Sequence, residues 1–232
     1  MVARRVANLA NLGLATFAAG AGVTAQCEPR RPLSAAEARR VVELFDRMML
    51  DEEYGDIHLY DLREDEEHFV EALGGDATYG ELSFDLLEWF LAQTEVQPED
   101  VLCDLGSGSG RALIYLALRT GLPAVGVELS PTRHQHAEIL RTLAQPFLRE
   151  EVELVQGDLQ EMHPFGKHAS VVLFANKLFS EEFSASALRV LPRIRALLTL
   201  KPLPGELPTK TAELPTSWSF KQPVWLYLRD AE

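Results

Sequence analysis

Apolar positions along the chain switch between a helical and an alternating or continuous period, and the switches mark out the elements. Between residues 34 and 50, Val41, Val42, Leu44, Phe45, Met48 and Met49 fall on one helix face, with Ser34 as N-cap and Glu37 completing a capping box. The acid-rich stretch from Asp51 to Glu71 reads as a solvated face or loop. From residue 83 the signals alternate: helix 83–93, strand 101–104, helix 111–120, strand 124–128, helix 131–143, strand 152–156, strand 170–174 and helix 180–198. A Pro-rich stretch, 202–215, precedes an apolar strand, 224–228. Strands alternating with helices predict an α/β fold, a parallel sheet with helices on both faces.

The first residues carry a different pattern. No acid occurs among residues 1–26, Arg4 and Arg5 come early, and 6–25 is rich in Ala, Gly and Leu, ending Val23-Thr24-Ala25. The stretch resembles a targeting segment, with a cleaved secretory signal, an organellar presequence and a weak membrane anchor as competing readings. Asn8, Asn11 and the glycines make it a poor transmembrane helix, and an ordinary Ala-rich surface helix is also consistent. Membrane contact is expected only if residues 6–25 act as an anchor. The expected organisation is a targeting-like or flexible extension, 1–33, a helical and acidic lead-in, 34–75, and a domain of alternating strands and helices, 76–232.

Composition narrows the partners. The 232 residues carry a formal charge of -13, which repels phosphate backbones, so strong nucleic-acid binding by this chain alone is not expected. A basic protein would be attracted, although solubility alone also accounts for such a balance. Cys27 and Cys103 lie too far apart in sequence to suggest a redox pair, and neither an HExxH motif nor a grouped Cys/His pattern suggests a metal.

The chemistry concentrates at Asp104-Leu-Gly-Ser-Gly-Ser-Gly110, between a strand and a helix. Ligands of open α/β sheets bind beyond the strand carboxyl ends, and Gly106, Gly108 and Gly110 let a ligand approach the backbone there, beside Ser107. A dinucleotide fingerprint needs glycine where Arg111 stands, and Asp104 would repel a pyrophosphate. S-adenosylmethionine (AdoMet) fits better: its ammonium suits an acid and it has no phosphate. Glu128, ending the next strand, is placed to accept two ribose hydroxyls, and Asp158, after Gly157, to accept an adenine amino group. After the fourth strand stands Phe174-Ala-Asn-Lys-Leu-Phe179, not the Asp/Asn-Pro-Pro-Tyr/Phe turn of methyltransferases acting on planar nitrogens of adenine or glutamine amides. Phe174 as a core aromatic and Asn176 as a cap are equally consistent.

Thr78-Tyr-Gly-Glu-Leu-Ser-Phe-Asp85, the DLGSGSG turn, Gly126-Val-Glu128, Gly157-Asp158, the Phe-Ala-Asn turn, and Ser217-Trp218 before Pro223-Val224 occur in the order found in the disruptor-of-telomeric-silencing family. These are the non-SET histone lysine methyltransferases, within the class I AdoMet-dependent enzymes, and the chain resembles them from about Asp76 to Arg229. The resemblance implies a Rossmann-like seven-stranded sheet with helices on both faces and a C-terminal antiparallel strand pair. It implies AdoMet as cofactor and a basic protein, usually a histone, as substrate. Tyr79 and Glu81 would close over the methionine end of AdoMet, and Asn176 would line an acceptor-lysine channel with Phe174 and Trp218. Localisation would be nuclear if the resemblance carries over, or organellar or secretory if residues 1–26 are a targeting segment. Three departures stand out: Leu82 where a hydroxyl residue is common, one residue inserted between Trp218 and Pro223, and Leu226 or Tyr227 in place of an aromatic pair. A non-histone protein acceptor, a small-molecule acceptor and a catalytically silent AdoMet-binding module remain as alternatives.

Overall fold

Four short apolar runs, each buried on both sides, make the centre of the sheet: β1 (Leu102–Leu105), β2 (Ala124–Glu128), β4 (Val171–Phe174) and β5 (Ala196–Thr199). Such continuous burial is what parallel strands covered by helices require. The computed structural model describes residues 31–49, 61–161 and 167–229, without the side chains of 48 and 49. All of these fall in one compact unit. The expectations for residues 1–30 and for 51–60 lie outside the described residues.

The seven strands run in the order β3-β2-β1-β4-β5-β7-β6, with β3 at Val152–Gln156, β6 at Lys210–Leu214 and β7 at Gln222–Leu228. Strands β1 to β5 pair in parallel, while β7 runs antiparallel to both β5 and β6. Helices cover both faces, as expected. On one face α4 (Arg111–Thr120) lays Leu113 against Gly126 of β2, and α1 (Ala35–Met49), α3 (Phe84–Thr94) and α5 (Pro131–Ala144) pack around it. On the other, Ala187 of α6 (Glu181–Arg189) and Leu191 join Cys103, Val125, Val172, Phe174, Leu197 and Tyr227 in one core cluster.

The capping box at α1 forms: Glu37 accepts the Ser34 amide at 2.8 Å, and Ser34 Oγ accepts the Glu37 amide at 3.3 Å. One expectation needs correction. Residues 180–198 are not one helix; α6 ends at Arg189, and the chain then builds β5. Pro192 lacks the amide a continuing helix needs, and Ala196-Leu-Leu-Thr199 is an apolar run that fits a buried strand as well as a helix. The described end of the acidic stretch is a solvated helix face. It forms α2 (Glu64–Ala72), whose first turn holds Glu64, Asp65, Glu66 and Glu67, the charge that a helix N-terminus favours. Glu66 then serves a second helix, accepting the Thr132 amide at 2.9 Å and the Ser130 hydroxyl at 2.5 Å at the start of α5.

An ion pair between a half-buried arginine and a buried aspartate fixes the far end of the sheet. Arg195, just before β5, reaches Asp100, just before β1, at 2.5 Å, while Ser170 Oγ and the Gln97 amide donate to the same carboxylate at 2.8 and 2.7 Å. Burial opposes ionisation of Asp100, but the Arg195 guanidinium and these donors hold its carboxyl below the ordinary range. The opposite, carboxyl ends of the strands are left to the functional site.

Candidate active site

A cavity of about 300 Å³ opens beyond the carboxyl ends of β1, β2 and β4. Its floor is the turn after β1. Gly106 and Ser107 both donate their amides to the Val127 carbonyl at 2.9 Å, so the turn is stitched to β2 before it enters α4. Gly108 has φ +52°, and a Cβ there would stand 2.7 Å from the Tyr79 ring; glycine is required on both counts. Gly110 caps α4 with φ +74° and packs against Ala137, away from the cavity lining. The Ser107 side chain packs toward Gly126, and its hydroxyl has no hydrogen-bond partner among the described residues.

Three acids at successive strand ends line this floor: Asp104, Glu128 and Asp158. Glu128 accepts the Gly108 and Ser130 amides, each at 2.8 Å, through its two oxygens. Burial still raises its pKa, although these amides and Arg133 pull the other way. Asp104 is pushed up to about 8, first by burial and then by the neighbouring Glu128 charge. Two buried carboxylates that resist ionisation together make a site that a cation would relieve and a phosphate would aggravate. Asp158 is half-buried and accepts the Gln160 amide at 2.8 Å.

The wall over the floor comes from residues 76–82. Tyr79 donates its hydroxyl to Glu81 at 3.1 Å, lies 2.7 Å from Ser109 Oγ, and carries the Arg133 guanidinium 4.9 Å above its ring. Glu81 pairs with Arg111, which also reaches Asp46 of α1 at 3.0 Å. Burial raises Asp46 to about 6 against the pull of Arg111. Leu82 forms a single antiparallel bridge with Thr216, so a backbone contact, indifferent to the missing hydroxyl, joins this wall to the 215–221 loop.

At the outer end the lining is Leu178, Phe179, Phe183, Leu200, Lys177 and Trp218. Trp218 lies flat against Gly80, where any Cβ would meet its ring. The structure brings Trp218 to the same cavity as the acids but separates Phe174 and Asn176 from it. The Phe174 ring is fully buried in the core and stacks on Phe179 of the lining, ring centroids 5.6 Å apart. Asn176 is buried too, its Oδ1 accepting the Leu200 and Lys201 amides at 2.9 and 3.0 Å. It therefore shapes the turn after β4 and presents no side chain to the lining. Leu226 and Tyr227 likewise bury in the sheet, Tyr227 accepting the Leu203 amide at 2.8 Å.

Sequence reasoning missed Val70, Arg111, Arg133 and Lys177, all of which line the cavity. Arg111 was legible only as the residue that breaks a dinucleotide fingerprint. Val70 lies in the acidic stretch, where a single buried valine on α2 gives no periodic signal. Among the described residues no group of His, Cys, Asp and Glu is arranged to hold a metal, and no helix is long and apolar enough to cross a membrane.

The arrangement matches known proteins in sequence and in shape. Residues 71–197 match the family described as histone methylation protein DOT1. A histone-lysine N-methyltransferase specific for H3 lysine-79 from Cryptococcus neoformans var. neoformans serotype D is 33% identical over 116 residues, 46% of this chain and 18% of that protein. A protein of the same description from Drosophila melanogaster is 29% identical over 106 residues, 42% of this chain and 6% of its own length. The chain thus matches less than a fifth of the length of these two relatives. An RNA methyltransferase from Salinibacter ruber, solved with S-adenosyl-L-homocysteine, superposes with a TM-score of 0.52 at 24% identity, over 65% of this chain and 94% of that one, which shows a shared fold. The DLGSGSG turn, the Tyr79-Gly-Glu81 wall and the match across more than half of the sequence place this chain in the DOT1 histone methylation family.

Proposed function

We propose that the chain is an AdoMet-dependent protein-lysine N-methyltransferase whose acceptor is a basic protein, a histone in the first instance. The observation that carries this reading is the buried pair Asp104 and Glu128 at the floor of a cavity whose outer end is apolar and aromatic. Asp104, unwilling to ionise alone, suits an ammonium; Glu128, already oriented by two amides, has lone pairs left for hydroxyls; Asp158 suits an amino group. These residues fit AdoMet, with Tyr79 and Glu81 closing the side nearest α4.

When bound, AdoMet supplies an electrophilic methyl group, so the acceptor nitrogen needs a free lone pair, alignment and freedom from water. The chain's residues supply those conditions. Leu178, Phe179, Phe183 and Leu200 form an apolar entry that disfavours a charged ammonium and so lowers the pKa of an entering lysine from about 10.4. Trp218 offers an aromatic face against which the side chain can lie. Phe174 and Asn176 act behind this surface: the first supports Phe179, and the second fixes the backbone of residues 200–201. The charge of -13 favours approach of a cationic protein.

Calorimetric titration of the full chain with S-adenosylhomocysteine, beside Asp104→Ala and Glu128→Ala, tests the cofactor half of this reading. Binding by the wild type that weakens at least about tenfold in both variants is expected. No binding by the wild type would overturn it.

A further inference from the structure

Lys177 is the cation at the outer end of the cavity, and it takes no part in the methyl transfer proposed for the site. Its Nζ stands 5.2 Å from the centroid of the Trp218 ring and donates to Gln222 Oε1 at 2.9 Å. The same oxygen accepts the Trp218 indole N–H at 3.1 Å. Gln222 is buried, and its amide nitrogen donates to the Pro223 carbonyl at 2.8 Å, which leaves the oxygen facing both partners. The Trp218 ring also packs against Gly80, where a Cβ would not fit. One buried glutamine therefore holds a lysine and a tryptophan together at the rim.

We propose that Lys177 determines acceptor selection: its ammonium occupies the aromatic face of Trp218 that an incoming amine would use, and the acceptor must displace it. The inference rests on the function proposed above. Two like charges over one indole repel each other, so an acceptor lysine enters only as Lys177 swings toward solvent or after the acceptor has lost its proton. Lys177 is exposed and held by one hydrogen bond to Gln222 and the Trp218 ring, contacts that water can replace, which makes it a replaceable occupant and not a permanent block. It raises the threshold for casual amines, while a protein substrate with further contacts overcomes it.

The test compares wild type, Lys177→Met and Lys177→Arg as full chains, by S-adenosylhomocysteine titration and by initial rates of tritiated-methyl transfer from AdoMet to recombinant core histones. A cation over an exposed indole is worth about two- to fivefold in an equilibrium, so Lys177→Met should lower KM for the histone by about that factor with kcat little changed. Lys177→Arg, which restores a cation over the ring, should return KM toward the wild-type value. Unchanged or raised KM in Lys177→Met, with S-adenosylhomocysteine binding intact, overturns the inference, as does absence of transfer in every variant that binds. Failure of the wild type to bind S-adenosylhomocysteine instead overturns the function on which it rests.

Discussion

The Glu128 carboxylate takes the Gly108 amide at 2.8 Å, closing the end of β2 onto the turn after β1. Its second oxygen takes the Ser130 amide at the start of α5, so one side chain positions two strand-to-helix turns. Glu128→Ala should therefore weaken S-adenosylhomocysteine binding by about 10- to 100-fold, the range for losing hydrogen bonds to a charged group, as measured by calorimetry. Glu128→Gln, which keeps one acceptor oxygen, should fall between the alanine variant and wild type.

Asp104 ties binding to pH. Its folded pKa of about 8 lies above the ordinary carboxylate value, so most of it is protonated at pH 7. A ligand ammonium favours the carboxylate, so AdoMet binding at pH 7 should release a proton, and affinity should rise by up to about tenfold per unit from pH 6 to pH 8. Calorimetry in buffers of different ionisation enthalpy reads the proton directly. For the free protein, a raised pKa gives a stability contribution that is present below about pH 4 and lost as pH rises through 8. Asp104→Asn should weaken both dependences, leaving the part that Glu128 contributes.

His136 acts at the other end of the pH range. It is buried on α5, edge-on to Phe45 of α1 with centroids 6.4 Å apart, and neither ring nitrogen has a hydrogen-bond partner among the described residues. Burial lowers its pKa to about 4. A depressed value gives stability that is present above the unfolded value near 6.5 and is lost as pH falls toward 4, at no more than about 1.4 kcal/mol per unit. Thermal melts of His136→Phe between pH 7 and pH 4.5 should lose this part of the slope.

Much of this was legible in the sequence, for reasons that differ along the chain. The strand ends at Asp104 and Glu128 were fixed because an acid after an apolar run has few places to go except the carboxyl edge of a sheet. The boundaries of α4 and β2 followed from the glycine turn that ends at Gly110 and from the apolar period. The β5 strand was hidden because Ala196-Leu-Leu-Thr199 follows a helix and carries no alternation. The resemblance puts Phe174 and Asn176 at an acceptor channel, yet successive strand residues face opposite sides of the sheet, and spacing alone does not show which side Phe174 or the turn after β4 presents. Lys177 was visible only as a letter between them; its meaning depends on Gln222 and Trp218, more than forty residues away.

The Asp100 and Arg195 pair supplies a control for stability apart from the site. Asp100→Ala leaves a half-buried guanidinium, the Ser170 hydroxyl and the Gln97 amide without their shared acceptor, and should cost about 1–3 kcal/mol in denaturant unfolding. The pair lies at the strand ends opposite the cavity, so S-adenosylhomocysteine affinity of the folded fraction should stay near wild type.

The most direct test of the central claim is transfer itself: the full chain incubated with tritiated AdoMet and recombinant nucleosomes or core histones, beside Asp104→Ala, with labelled residues assigned by tandem mass spectrometry. Label on a histone lysine that disappears with Asp104→Ala is the predicted result. S-adenosylhomocysteine binding without label on any histone lysine would contradict the assignment of a histone lysine as acceptor.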